Sequence, residues 1–91
     1  MTTQYETKEQ ALEMGLFYAG FGDRKLREAK LAELMESSPE KSEIGWPHDE
    51  EIELYEFKSP GGIDVKIGIG KFRSGFDLWF IDPDTGFSRR M

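Results

Sequence analysis

The chain has no cysteine, a single histidine and no long apolar run, and each shortage removes a class of function. Without thiols there is no disulfide framework, zinc ribbon, iron–sulfur cluster or thiolate nucleophile. The one imidazole, His48, sits in Trp46-Pro47-His48-Asp49-Glu50-Glu51. No second histidine completes a metal site, and consecutive loop residues rarely converge on one ion, so His48 reads as a surface residue and no metal or cofactor is expected. No segment approaches the ~18 consecutive apolar residues of a membrane span, and MTTQYETKEQ lacks the basic start and apolar run of a secretory signal. A cytoplasmic protein without a membrane partner is the expectation.

What is present suffices for one core. At 91 residues, with 37% hydrophobic and 13% aromatic content, the chain is too apolar for a disordered tail and the right length for a single domain, 1–91. Its charge is unevenly spread. Residues 40–57 carry seven acids (Glu40, Glu43, Asp49, Glu50, Glu51, Glu53, Glu56) against Lys41 alone, which accounts for the whole net charge of −6. The last third, residues 58–91, has four acids to six bases and is slightly basic. An acidic belt of this kind repels nucleic acid and draws basic surfaces by raising association rates, unless it serves only to keep a loop hydrated.

The belt divides a helical half from a strand-like half. Thr7 and Gln10 fit a capping box ahead of Ala11, Leu12, Leu16 and Ala19 at helical spacing, which predicts a helix over 8–19. Gly20 and Gly22 stop it, and Asp23 caps a second helix over 24–37, ended by Pro39, with Leu26, Ala29, Leu31, Leu34 and Met35 as its apolar side. Residues 38–51 read as an acidic linker. Beyond them the period becomes two: Ile63, Val65, Ile67 and Ile69 alternate with Asp64, Lys66, Gly68 and Gly70. Strands are expected over about 52–58, 63–72, 76–82 and 87–90, joined by Ser59-Pro60-Gly61-Gly62, Ser74-Gly75 and a type I turn at Asp82-Pro83-Asp84-Thr85-Gly86. The resulting fold class is α+β, with two N-terminal helices on one face of a three- to four-stranded antiparallel meander.

Ile63, Val65, Ile67 and Ile69 are expected to face the helices together with Phe76, Leu78 and Phe80. That turns Asp77, Trp79 and Ile81 outward, where Tyr55 and Phe57 are placed beside them as an aromatic interaction face. The competing arrangement folds the linker, with Ile44 and Trp46, back over this face as a minor core.

Other motifs carry little chemistry. Asp82-x-Asp84-x-Gly86 lacks the later ligands of a calcium loop, and Gly68-x-Gly70 lacks the lysine of a phosphate loop and reads as strand glycines admitting close approach. Helix two opens with Arg24, Lys25 and Arg27 and closes with Glu33 and Glu36, the reverse of what the helix dipole favours. Those three cations are candidates for an anion contact. Pairing of Arg24 with Glu28 and Lys30 with Glu33 along the helix, or docking of the belt on the basic turn, is the simpler explanation.

The function these residues suggest is that of a small acidic, non-enzymatic protein-binding or regulatory domain. Its belt (Glu43, Asp49, Glu50, Glu51, Glu53, Glu56) and aromatic face (Trp46, Tyr55, Phe57, Trp79, Ile81) would meet a basic protein surface or a second copy of the chain. One alternative is a nucleic-acid mimic of the anti-restriction or anti-CRISPR type, whose carboxylates occupy a basic groove. A small-molecule binder or enzyme using His48 is another. Direct nucleic-acid binding through Arg24, Lys25, Arg27, Arg89 and Arg90 conflicts with the overall charge.

Overall fold

Thr7 and Asp23 start the two helices as their side chains dictate. In the computed structural model, which describes residues 5–44, 50–72, 75–82, 84–86 and 88–90, Thr7 Oγ1 accepts from the Gln10 amide at 3.1 Å. Asp23 Oδ1 accepts from Lys25 and Leu26 at 2.9 and 3.1 Å. The Gln10 side chain reaches back one residue further than a capping box requires and accepts from Glu6 N at 3.1 Å. Helix α1 therefore spans Lys8–Tyr18 and α2 spans Arg24–Glu36. Between them Gly20, with φ +112°, lets Phe21 N and Gly20 N donate to Leu16 O and Phe17 O. This paired closure satisfies the last carbonyls of α1 and buries Phe21.

Five strands follow: β1 Glu40–Ile44, β2 Glu50–Lys58, β3 Asp64–Phe72, β4 Gly75–Ile81 and β5 Ser88–Arg90. All pairings are antiparallel and the spatial order is the chain order, β1-β2-β3-β4-β5. The expected α+β architecture is present with one strand more than predicted. That strand lies inside the stretch read as linker. Glu40-Lys41-Ser42-Glu43 has no apolar alternation to announce it, and pairing with β2 rather than intrinsic preference makes it extended. Tyr5 adds a single bridge to Phe76, with amide-to-carbonyl distances of 2.9 and 2.8 Å, at the start of β4, which β5 does not reach.

Register decides the two faces of the sheet. Tyr55 lies opposite Ile67 and Ile67 opposite Phe80; Phe57 lies opposite Val65, and Ile69 opposite Leu78. These residues share the helix-facing side and form the core with Ala11, Leu12, Leu16, Phe21, Leu31 and Leu34. The placement of Tyr55 and Phe57 beside Trp79 is thus overturned: an odd–even offset between β2 and β4 sends them to opposite sides, and both are buried beneath the helices. Ile63 also departs from expectation. It precedes β3 in the turn, where its amide donates to Ser59 Oγ, and it is 69% exposed. Leu26 and Met35 are exposed as well, because only a narrow stripe of α2, centred on Leu31 and Leu34, is buried.

Helix α1 sits close to the sheet at Gly15. A β-carbon there would lie 2.9 Å from Ile67 Cδ1 and 3.1 Å from Leu78 Cδ1, both on fully buried side chains. Gly15→Ala is expected to destabilise by about 1 kcal/mol, because an overpacking cost of ~1–3 kcal/mol outweighs a helix-propensity gain of ~1 kcal/mol. Urea unfolding checks this, and an unchanged or raised midpoint would show that the contact is loose.

Candidate interaction surface

Among the described residues, the acidic belt forms the first two strands of the sheet, the β1–β2 ribbon. In the β1–β2 pair, Glu43 lies opposite Glu51 and Lys41 opposite Glu53, while Glu40 lies opposite Leu54 on the other face. Two belt carboxylates are engaged within the molecule. Glu53 meets Lys8 of α1 at 3.4 Å, and Glu56 meets its cross-strand neighbour Lys66 at 3.4 Å. Glu40, Glu43 and Glu51 are exposed, and no ion pair holds them among the described residues. Like charges directly opposite on a pair of strands destabilise it, so the Glu43–Glu51 juxtaposition carries a cost of a few tenths of a kcal/mol. Trp46, His48 and Asp49 lie outside the described residues, as does the side chain of Glu50.

Beside the ribbon an open groove of about 430 Å3 is lined by Lys41, Glu51, Glu53, Ile69, Lys71 and Phe76. Its walls are charged with both signs over an apolar floor, and Lys8 stands at its margin through Glu53. Lys8 also lies 5.8 Å from the centre of the Tyr55 ring. Hydrogen bonding to Tyr55 raises the Lys8 ammonium above the ordinary lysine range; burial opposes this and the Glu53 carboxylate assists it. Tyr5 is likewise raised, first by burial and then by Tyr18. Nothing in the sequence linked Lys8 to Glu53, which are 45 residues apart.

The cations of α2 are largely occupied by the protein itself. Arg24 Nε meets Glu28 at 3.0 Å and Lys30 meets Glu33 at 3.0 Å, the helical pairings expected from the spacing. Arg27 does more. Its Nη1 donates to Phe21 O at 3.1 Å and Gly22 O at 3.4 Å, its Nε lies 3.5 Å from Glu13 of α1, and its guanidinium covers the Phe17 ring at 5.7 Å. It ties α2 to the end of α1, and its side chain is only 16% exposed. Arg27 is therefore a poor anion contact. Lys25 is exposed at the helix start.

The outward face of the sheet is no open aromatic patch. Trp79 is 2% exposed, Ile52 is buried beside it, and Asp77 is fully buried. Gly68 and Gly70 lie directly opposite Trp79 and Asp77, and a β-carbon on Gly68 would stand 2.6 Å from Ile52 Cδ1. The alternating glycines thus let large neighbours lie flat over the backbone, the close approach expected of them. Ile81 is half-buried at the end of this row. Of the proposed aromatic face, then, Tyr55, Phe57 and Trp79 are interior, which removes them as exposed anchors.

Among the described residues no cluster of three or more metal-ligating side chains occurs, and no helix is long and apolar enough to cross a membrane. Arg27→Ala is expected to cost about 1–2 kcal/mol, through lost hydrogen bonds and ring contact, and Arg24→Ala less than about 0.5 kcal/mol. Equal effects in thermal unfolding would show that Arg27 is no tie.

Raised values for Lys8 and Tyr5 stabilise the fold while Lys8 is charged and Tyr5 neutral. That contribution is complete below the ordinary lysine and tyrosine range and fades as pH rises through the higher folded values. Stability should therefore fall above about pH 10, and Lys8→Met should flatten the fall. An alkaline limb of the pH–stability curve unaffected by Lys8→Met would contradict the assignment. No family model, no curated protein and no solved structure matches this chain.

Proposed function

We propose that the protein acts by binding rather than by catalysis, and that the acidic β1–β2 ribbon is the surface that meets a basic region of another protein. One observation carries this reading. Among the described residues, Glu40, Glu43 and Glu51 are exposed without an ion pair at one rim of the sheet, and two of them face each other across the strand pair at a cost to the fold. A cation-bearing partner would relieve that repulsion, steer encounter over a Debye length of about 8 Å at physiological salt, and fix the register of docking. The basic groove of a nucleic-acid-processing complex, occupied by carboxylates in place of phosphates, is one surface of this kind. Tyr55, Phe57 and Trp79, first considered as anchors, belong to the interior and take no part.

The test is capture from host lysate with wild-type protein and a variant in which Glu40, Glu43 and Glu51 are all changed to lysine. The wild type should retain a basic protein whose binding weakens at least about tenfold on moving from low to high salt, and the variant should lose it. Retention of the same protein by the charge-reversed variant would sink the proposal. A Trp79→Phe control, altering an interior residue, should leave capture intact.

A further inference from the structure

The sheet ends in two edges of opposite character. β1 and β5 are its outer strands, and among the described residues neither pairs with a further strand. Among the described residues, the backbone groups that β1 directs away from β2 have no strand beside them and offer a row of donors and acceptors to an added one. Along that edge stand Glu40 and Glu43 with Lys41, backed by Glu51 on β2. The other edge is Ser88-Arg89-Arg90. Arg89 is exposed opposite Phe80, and Tyr18, 51% exposed, packs edge-on against Phe80 with ring centres 6.5 Å apart, widening the β5 edge with apolar surface. The neighbouring turn carries acids as well: Asp82 and Asp84 are both exposed, and Asp82 Oδ1 accepts from the Asp84 amide at 2.8 Å.

We infer that the basic surface met by the acidic ribbon includes the β5 edge of a second copy, so that chains associate head to tail, β1 against β5. This rests on the binding role proposed for the ribbon and names its partner. Charge decides among the available pairings. A two-fold contact through β1 joins two strands of net negative charge, even where Lys41 meets Glu43, and one through β5 brings Arg89 near its own copy; the β1–β5 contact sets the net negative strand against Arg89. Such a contact is heterologous. It leaves a free acidic edge at one end and a free basic edge at the other, and therefore closes into a ring or extends with concentration. With only three residues in β5, each contact is small and the association weak and salt-sensitive. The opposing possibility is that the edge charges exist to keep copies apart. The two ideas predict opposite signs for the effect of neutralising them.

Sedimentation velocity across a concentration series at low and high salt tests this. Wild-type protein should grow in mean size with concentration and revert to monomer at high salt. A Glu40→Lys/Glu43→Lys variant and an Arg89→Glu/Arg90→Glu variant, each shown by circular dichroism to be folded, should lose at least about tenfold in self-association when alone. An equimolar mixture of the two, in which every β1–β5 contact is again between opposite signs, should restore it. A Glu40→Gln/Glu43→Gln variant should associate less than wild type. The inference is overturned by a wild type that stays monomeric throughout, by a mixture that fails to associate, or by stronger association of the glutamine variant. A monomeric wild type that still captures a basic protein through the ribbon would remove the head-to-tail contact and leave the binding role standing. Self-association without any such capture would do the reverse.

Discussion

The seating of α1 on strands β3 and β4 is the contact from which the other features follow. Ala11, Leu12 and Leu16 meet Ile67, Ile69 and Leu78 with almost no residual exposure, and Gly15 removes the side chain that would hold the helix away. Fully burying a Leu or Ile side chain is worth ~1.5–3 kcal/mol, so this layer outweighs any surface ion pair in the molecule. Because side chains alternate strictly along a strand, one face of the central pair committed to α1 commits every neighbour through register. Tyr55 and Phe57 are drawn under the helices by their pairing with Ile67 and Val65, and Trp79 is turned away from them.

The same register distributes the charge. Helix α1 covers the middle of the sheet, and its first residue, Lys8, reaches β2 at Glu53. Beyond that point neither helix pairs with the ribbon among the described residues, and Glu40, Glu43 and Glu51 are exposed. Arg27, which looked available from sequence, is used instead to fasten the turn between the helices. Basic and acidic groups at the helical end of the molecule are thereby largely matched with each other. Among the described residues, Glu40, Glu43 and Glu51 are exposed without an ion pair at one side of the sheet, and Arg89 is exposed on the strand at the other.

Much of the fold was legible because it follows from local rules. Thr7 and Asp23 are caps wherever a helix follows them, Gly20 closes a helix at little steric cost, and the alternation of Val65, Ile67 and Ile69 admits only a strand. Strand β1 was not legible, since Glu40-Lys41-Ser42-Glu43 is extended through its partner alone. Nor was the orientation of β2. Its residues are large on both sides, with Tyr55 and Phe57 on one and Ile52 and Leu54 on the other, and no periodicity shows which set faces the helices. The aromatic face was misassigned for that reason. The acidic concentration was plain from sequence, but its division into engaged and exposed carboxylates depends on Lys8 and Lys66, which are brought near from distant or cross-strand positions.

By itself, then, the chain determined where helices and strands begin, that an antiparallel meander follows a helical pair, and that negative charge gathers between them. These are consequences of short-range sterics, hydrogen bonding and hydrophobic period. The tertiary structure alone decided that the acid-rich segment becomes an outer strand, that the basic tripeptide ends the sheet on the opposite side, and that Trp79 lies inside. Each of those depends on strand order and register, which arise only when separated segments bury their apolar faces together.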